Sequence, residues 1–335
     1  MKVRQWRFVM LVVAMASLIE AKKYSCVPSG NEVCQMHSVF YDPEKSHNHE
    51  FPGNQTHVRI GTAGWSRSIE SVVRTFDLQL YKQLGQPVSV EIINAGMKEL
   101  IIPAKIRHGN FDDNHLTSFA LEATADSPNI IYLDLSRNAI VDIKNVSNMV
   151  NLETLVLVSN QILNLDDNPL VNLKKLKHLY LNHNELTSIS GEHFPNSLIT
   201  LGLYSNHIKT IRGDLELPSL ESLNLEHNML SEINPSKMVE SMPKVYEILI
   251  HSNRFPHDKV PEYAKAFKRL NITVSSDADD ASCYYNNVEI EGICVQEGND
   301  SGRSWFKATL LTVLTIVLGI VFVLALVWIY RAMNE

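Results

Sequence analysis

The sequence predicts an α/β solenoid: a right-handed arc of about eight turns with a parallel sheet on its concave side, plus a single transmembrane helix. Three observations predict it. Over residues 133–253 one pattern (apolar, any, apolar, any, any, Asn) is written six times: Leu133-Leu135-Asn138, Leu155-Leu157-Asn160, Leu179-Leu181-Asn184, Leu201-Leu203-Asn206, Leu223-Leu225-Asn228 and Ile248-Ile250-Asn253. The steps between asparagines are 22, 24, 22, 22 and 25 residues, and a fixed period in this range marks stacked turns. Eight residues before each Asn lies a further apolar residue: Ile130, Leu152, Leu176, Leu198, Leu220 and Val245.

Each apolar-any-apolar triplet is a short strand whose two large side chains face inward. The Asn bends the chain out of the strand, and its buried amide must find backbone partners in adjoining turns. One turn cannot bury its own leucines, so the turns stack. An array of amphipathic helices would need a period of 3.6 instead. Six copies of this motif in register resemble the leucine-rich repeat family, which implies a binding scaffold.

Two weaker turns precede the six. Val90-Ile92 has Ala95 in the Asn position, and Ile106, Phe111 and Asn114 fit another turn with Gly109 at an apolar position. Repeats are thus expected over 88–258, with the Ala95 turn looser because alanine offers no amide. Residues 22–87 are expected to hold a polar N-terminal cap, a degenerate first turn (Val58, Ile60, Ala63, Trp65) and a helix over 67–85. Residues 259–296 are expected to close the C-terminal edge with a helix over 261–270 and a short strand over 272–274.

The termini predict the compartment. Lys2, Arg4 and Arg7 precede an apolar run ending in small residues, so residues 1–21 read as a signal peptide. Its removal takes the net charge from −7 to −9, which argues against a nucleic-acid partner. Residues 308–330 form an apolar run long enough, at about 34 Å, to cross a hydrocarbon core of about 30 Å. Between the cap and that run lies a stalk, 297–307, and beyond it a tail, 331–335. The expected topology is type I in the cell membrane, with the ectodomain outside. A glycolipid anchor at Asn299, Ser301 or Gly302 is the alternative. Cys26, Cys34, Cys283 and Cys294 flank the repeats in pairs and read as disulfides. Three connectivities are open, and the local pairs suit capping modules. Asn54, Asn145, Asn271 and Asn299 occupy glycan-acceptor sequons.

No catalytic motif is present: there is no Gly-x-Ser-x-Gly, His-Glu-x-x-His or phosphate-binding glycine loop. No enzyme activity, cofactor or metal is expected. His47, His49, Glu50 and His57 match no closed metal site, and solvated histidines account for them.

The strand residues six, four and two before each Asn point to the concave side. Near the centre Tyr132, Val156, Val158, His178, Tyr180 and Tyr204 make an apolar and aromatic patch, the candidate binding surface. Glu91, Asp112, Asp113 and Asp134 gather at the N-terminal end, where they would steer a basic partner or keep the face soluble. His178, His183, His227 and His251 lie on or beside the face, and acid could charge them.

The expected partner is a protein ligand or co-receptor; a dimer is left open. A narrower resemblance, carried by the repeat lengths, the two-plus-two cysteines and the five-residue tail, is to mosquito leucine-rich repeat immune proteins with a membrane span and no coiled coil. It implies an innate-immune receptor or co-receptor acting through a partner. A neural or developmental adhesion protein of the same fold is the alternative.

Overall fold

The computed structural model describes residues 22–29, 32–44, 49–61, 71–123, 127–212, 215–274, 283 and 287–296. The expected leader, stalk, membrane span, tail and Asn299 sequon lie outside the described residues, among which no helix is long and apolar enough to cross a membrane.

One sheet of eleven strands forms the spine. In chain order these are β1 (Val27–Ser29), β2 (Val33–Met36), β3 (His57–Gly61), β4 (Ser89–Ile93), β5 (His108–Asn110), β6 (Tyr132–Asp134), β7 (Thr154–Val156), β8 (His178–Tyr180), β9 (Thr200–Gly202), β10 (Ser222–Asn224) and β11 (Glu247–Leu249). Only β1 runs antiparallel, against β2; from β2 to β11 every neighbour is parallel. Ten parallel rungs make about nine turns; the eight rungs from β4 to β11 are those the motif indicates. Few helices are present among the described residues.

The extra length lies at the N-terminus. The stretch expected to be a polar cap supplies a full rung, β2, and the expected degenerate first turn supplies another, β3, with Cys34, Met36, Val58 and Ile60 buried. The helix expected over 67–85 is likewise shorter. Among the described residues of this stretch, Val72–Val73 and Thr75–Phe76 are strands and only Leu78–Gln83 is helical, here α1. The side chain of Asp77 caps it by accepting the Leu80 N–H at 2.7 Å. Val73, Phe76, Leu80 and Leu84 are all buried; a strand-turn-helix buries the same residues that a continuous helix would. Ala63 and Trp65 lie outside the described residues.

The inward residues of the rungs are fully buried: Val90, Leu133, Leu155, Leu179, Leu201, Leu223 and Ile248 are each 0% exposed. Each such aliphatic side chain contributes about 1.5–3 kcal/mol. In β5 the inward position is Gly109, where a Cβ would stand 2.8 Å from Phe111 Cε2; the phenylalanine ring occupies the space a side chain would take.

The asparagines tie the turns together. Asn184 is representative. Its Oδ1 accepts the Ile162 N–H at 3.0 Å, and its Nδ2 donates to Leu157 O at 2.8 Å in the turn before and to Leu181 O at 3.1 Å in its own. Asn138, Asn160, Asn206, Asn228 and Asn253 repeat this arrangement. The Ala95 turn is not left open on both sides. Asn114 Oδ1 accepts the N–H of both Ala95 (3.1 Å) and Met97 (3.0 Å), so the next rung holds it.

The C-terminal edge is closed by chain. Helix α2 (Pro235–Ser241) lies in the last full turn, and α3 (Val260–Arg269) follows β11. Thr273 then pairs with Glu247 on the outer edge of β11, and Ile248 N–H donates to Thr273 O at 2.8 Å. A hairpin, β12 (Asn287–Ile290) and β13 (Ile293–Gln296), docks next to the last Asn, where Ser252 N–H donates to Cys294 O at 2.7 Å. The disulfides are the local pairs Cys26–Cys34 and Cys283–Cys294. The first pins β1 to β2; the second ties the hairpin to the segment after α3.

Candidate functional site

The sheet face is built by register. Pairing across the rungs aligns Tyr132, Thr154, His178 and Thr200 in one row and Asp134, Val156, Tyr180 and Gly202 in the next. Adjacent rungs are about 4.8 Å apart. Tyr132, Val156, Val158, His178, Tyr180 and Tyr204 are all half-buried, each with one side against its neighbours and the other open.

Two features order the centre of this patch. Tyr204 stands between two imidazoles, with His183 and His227 at centroid distances of 5.0 and 4.9 Å, both edge-on. Those histidines occupy the position immediately before an Asn, where φ is positive, 55° and 53°. The same left-handed backbone recurs at Asn94, Asp113, Arg137, Ser159, Ser205 and Ser252. It turns the side chain before each Asn onto the rim of the face. The second feature is Gly202. A Cβ there would meet Asn182 Oδ1 at 2.7 Å and Tyr180 Cδ1 at 3.2 Å. The missing side chain lets Tyr180 and Asn182 lean across the β9 rung, and Asn182 Oδ1 accepts the Tyr204 N–H at 3.0 Å. His178 Nδ1 lies 3.2 Å from Thr200 Oγ1.

Partial burial tunes the ionisable groups here. Burial, with Glu226 nearby, raises the Tyr204 phenol. Glu226 is itself raised by burial, against a hydrogen bond from Asn224 and with Glu247 adding to the rise. Burial and His183 lower His227. Tyr132 is pushed up to about 12 by burial and by Asp134. Each of these shifts favours the neutral form of Tyr132, Tyr204 and His227.

The acidic end differs from expectation. Glu91 is spent inside the protein: Arg59 Nε donates to it at 2.6 Å, and His57 Nε2 lies 2.6 Å away. Burial alone would raise Glu91, but these bonds outweigh it and hold it below the ordinary carboxylate value. Asp112 pairs with Arg137. Its carboxyl is pushed up to about 6 by burial, against Arg137 and with Asp134 and Asp113 reinforcing. Two of the four expected steering charges are thus compensated, which leaves Asp113 and Asp134 to steer. The degenerate first turn read at Val58 and Ile60 puts Arg59 on the same face as Glu91, but its register against β4 is what brings the two together.

His251 also departs from expectation. It is 9% exposed, and Leu249 in the adjacent row is 8% exposed. The C-terminal hairpin covers this end, and His251 Nδ1 accepts the Cys294 N–H at 3.1 Å. The open face therefore ends near β10. Burial lowers the His251 pKa, with the Val274 carbonyl and Glu289 opposing. A histidine with a depressed folded pKa stabilises the fold above its unfolded value, about 6.5, and that contribution is lost as pH falls through the folded pKa. Hydrogen exchange across 287–296, corrected for intrinsic rate, is expected to accelerate between pH 7 and pH 5. His251→Leu should abolish the pH dependence; an unchanged profile in that variant would assign the transition elsewhere.

Among the described residues no group of three or more His, Cys, Asp or Glu side chains is placed to hold a metal ion. His57 points to Glu91, and His49 packs on Tyr24 and Phe51 at 5.6 and 6.1 Å; His47 lies outside the described residues. Asn54, Asn145 and Asn271 are exposed. Asn145 Nδ2 donates to Phe119 O at 2.6 Å from the 3-10 turn Lys144–Asn148, on the side returning from the sheet.

A family profile described as "Leucine rich repeat" matches residues 150–208. Bovine lumican is 36% identical over 109 residues, covering 31% of this chain and 32% of lumican. Pig fibromodulin is 35% identical over 104 residues, covering 31% of this chain and 69% of that sequence. The chain thus spans about a third of the length of lumican. Among solved structures, a leucine-rich repeat protein of Leptospira interrogans superposes with a TM-score of 0.48 at 23% identity, covering 65% of this chain and 54% of that one.

Proposed function

The chain belongs to the leucine-rich repeat family, and on that footing we propose that it is a cell-surface recognition protein that holds a protein partner against the centre of its sheet. The observation that carries this is the aromatic comb His183, Tyr204 and His227 beside Tyr180, Val156 and Val158: rigid, half-open side chains in strict register. Such groups bring large contact area at low entropic cost and dominate protein interfaces. The finer reading is an innate-immune receptor or co-receptor, with a leader, one membrane span and sugars at the exposed sequons. It draws support from the apolar run 308–330, the paired cysteines and the resemblance to membrane-bound insect immune repeat proteins. Asp113 and Asp134, which form no ion pair among the described residues, favour a partner with basic character at the β5–β6 end.

The test is proximity labelling on intact cells, comparing the native chain with Tyr180→Ala/Tyr204→Ala. Each truncation of an interface anchor costs about 2 kcal/mol or more in affinity, so at least one labelled neighbour should be lost. An identical set of neighbours would exclude the sheet centre as the binding surface. Labelling restricted to blood cells after infection would support the immune role; labelling in neurons would support adhesion.

A further inference from the structure

A second surface lies on the flank where the chain enters the strands. Three shallow clefts, of 520, 490 and 520 Å³, run end to end along it. The first and second share Lys105 and Asn129; the second and third share Glu153 and Lys175. The periodicity of the solenoid makes this groove. Residues seven to ten positions before each Asn leave the core just ahead of a strand, so those of successive turns line up. They include Lys105 and Arg107 ahead of β5, Lys174, Lys175 and Lys177 ahead of β8, and Lys244 ahead of β11. The six steps from β5 to β11 extend about 29 Å at about 4.8 Å per rung.

The charge of this groove is opposite to that of the molecule. Seven cationic side chains line it against three carboxylates, in a chain of net charge −7. Lys177 is engaged with Glu153 at 2.8 Å, and Lys175 donates to the Asn151 amide at 2.8 Å. Arg107, Lys174 and Lys244 are exposed and form no ion pair among the described residues. Cations aligned in this way, in excess of the carboxylates among them, focus a positive potential along the flank.

We propose that this groove binds a linear sulfated polysaccharide. Lysines on flexible stems suit sulfate groups spaced along a chain, since each is a point charge with rotatable donors rather than a fixed fork. Between the lysines stand Asn129, Asn151, Ser197 and Ser219, whose amides and hydroxyls match the hydroxyls of sugars. Single-stranded nucleic acid needs a series of aromatic faces for stacking, and Tyr81 at one end is the only aromatic residue among the described residues that line the three clefts. The strip is narrow and the rest of the molecule acidic, which disfavours docking onto a flat anionic bilayer.

The test uses the purified full chain and immobilised heparin. Binding should weaken steeply with salt, because sulfate-bound counterions are released on contact. The triple reversal Lys105→Glu/Lys175→Glu/Lys244→Glu should weaken binding at least tenfold, and the milder Lys→Gln triple at the same positions should weaken it in the same direction while preserving the circular-dichroism spectrum. Lys265→Glu/Lys268→Glu/Arg269→Glu on α3 makes the same change in net charge away from the groove and should stay within twofold of native. Equal losses in the groove and α3 variants would reduce the effect to overall charge and overturn the proposal. So would full binding to desulfated heparin, or tighter binding to phosphatidylserine vesicles or single-stranded DNA. Tyr180→Ala/Tyr204→Ala should retain heparin binding, which separates this surface from the sheet centre.

Discussion

Asn114→Ala is expected to destabilise the solenoid more than alanine at any other repeat asparagine. Most of these amides accept one N–H from the preceding turn. Asn114 accepts two, from Ala95 and Met97, because Ala95 stands where an asparagine normally sits, and its Nδ2 donates to Ile92 O at 2.8 Å and to Phe111 O and Asp112 O at 3.0 Å. Truncation leaves two buried donors without an acceptor. Each orphaned group costs about 1–3 kcal/mol, which makes about 2–6 kcal/mol for the two. Asn184→Ala orphans a single donor, Ile162 N–H, and is expected to cost about 1–3 kcal/mol on that account. Chemical denaturation followed by circular dichroism compares them. An equal or smaller loss at Asn114 would mean that the Ala95 turn is not held by its neighbour. Because stacked turns need not unfold together, hydrogen exchange in β4 and β5 should locate the damage.

Gly61→Ala should be of comparable severity and confined to the other end. Gly61 closes β3 with φ +87°, and a Cβ there would lie 1.9 Å from Ile93 O, a backbone atom of β4. The left-handed conformation alone costs a side chain about 1–2 kcal/mol. The clash adds to this, because a carbonyl fixed in a rung paired on both sides cannot retreat without parting β3 from β4. A loss of at least about 3 kcal/mol is expected, in the range reserved for backbone strain and broken packing. Gly53→Ala, where nothing lies within 4 Å, serves as control and should stay within about 0.5 kcal/mol. The readout is the unfolding midpoint together with exchange protection in β2 and β3. If the two variants proved equally stable, the close approach of β3 to β4 would be wrong.

These predictions mark where local pattern suffices and where it fails. The central six turns were legible because each carries its own asparagine and its own inward pair. Alternation along a strand also decides which residues face out, so the rows through Tyr132, Tyr180 and Tyr204 could be written down residue by residue. β2 and β3 were harder. Neither ends in an asparagine, and Val58 lies 32 residues before its partner Val90 rather than about 22. The helix read into 67–85 failed for a related reason, since burial at Val73, Phe76, Leu80 and Leu84 is compatible with either period.

The sequence by itself determined the stacking: a buried amide must find backbone partners, and six amides at one period have only the adjoining turns to supply them. It also set the inward and outward faces of each rung, through strand alternation. Only the tertiary structure decided which part of the outward face is open. The hairpin at 287–296 covers His251, Arg59 and His57 engage Glu91, and the bare backbone of Gly202 admits Tyr180. Each depends on residues distant in the chain or on the shape of a neighbouring rung. A periodic motif holds no record of either, because it specifies contacts between equivalent positions and not between a repeat and the irregular chain at its ends.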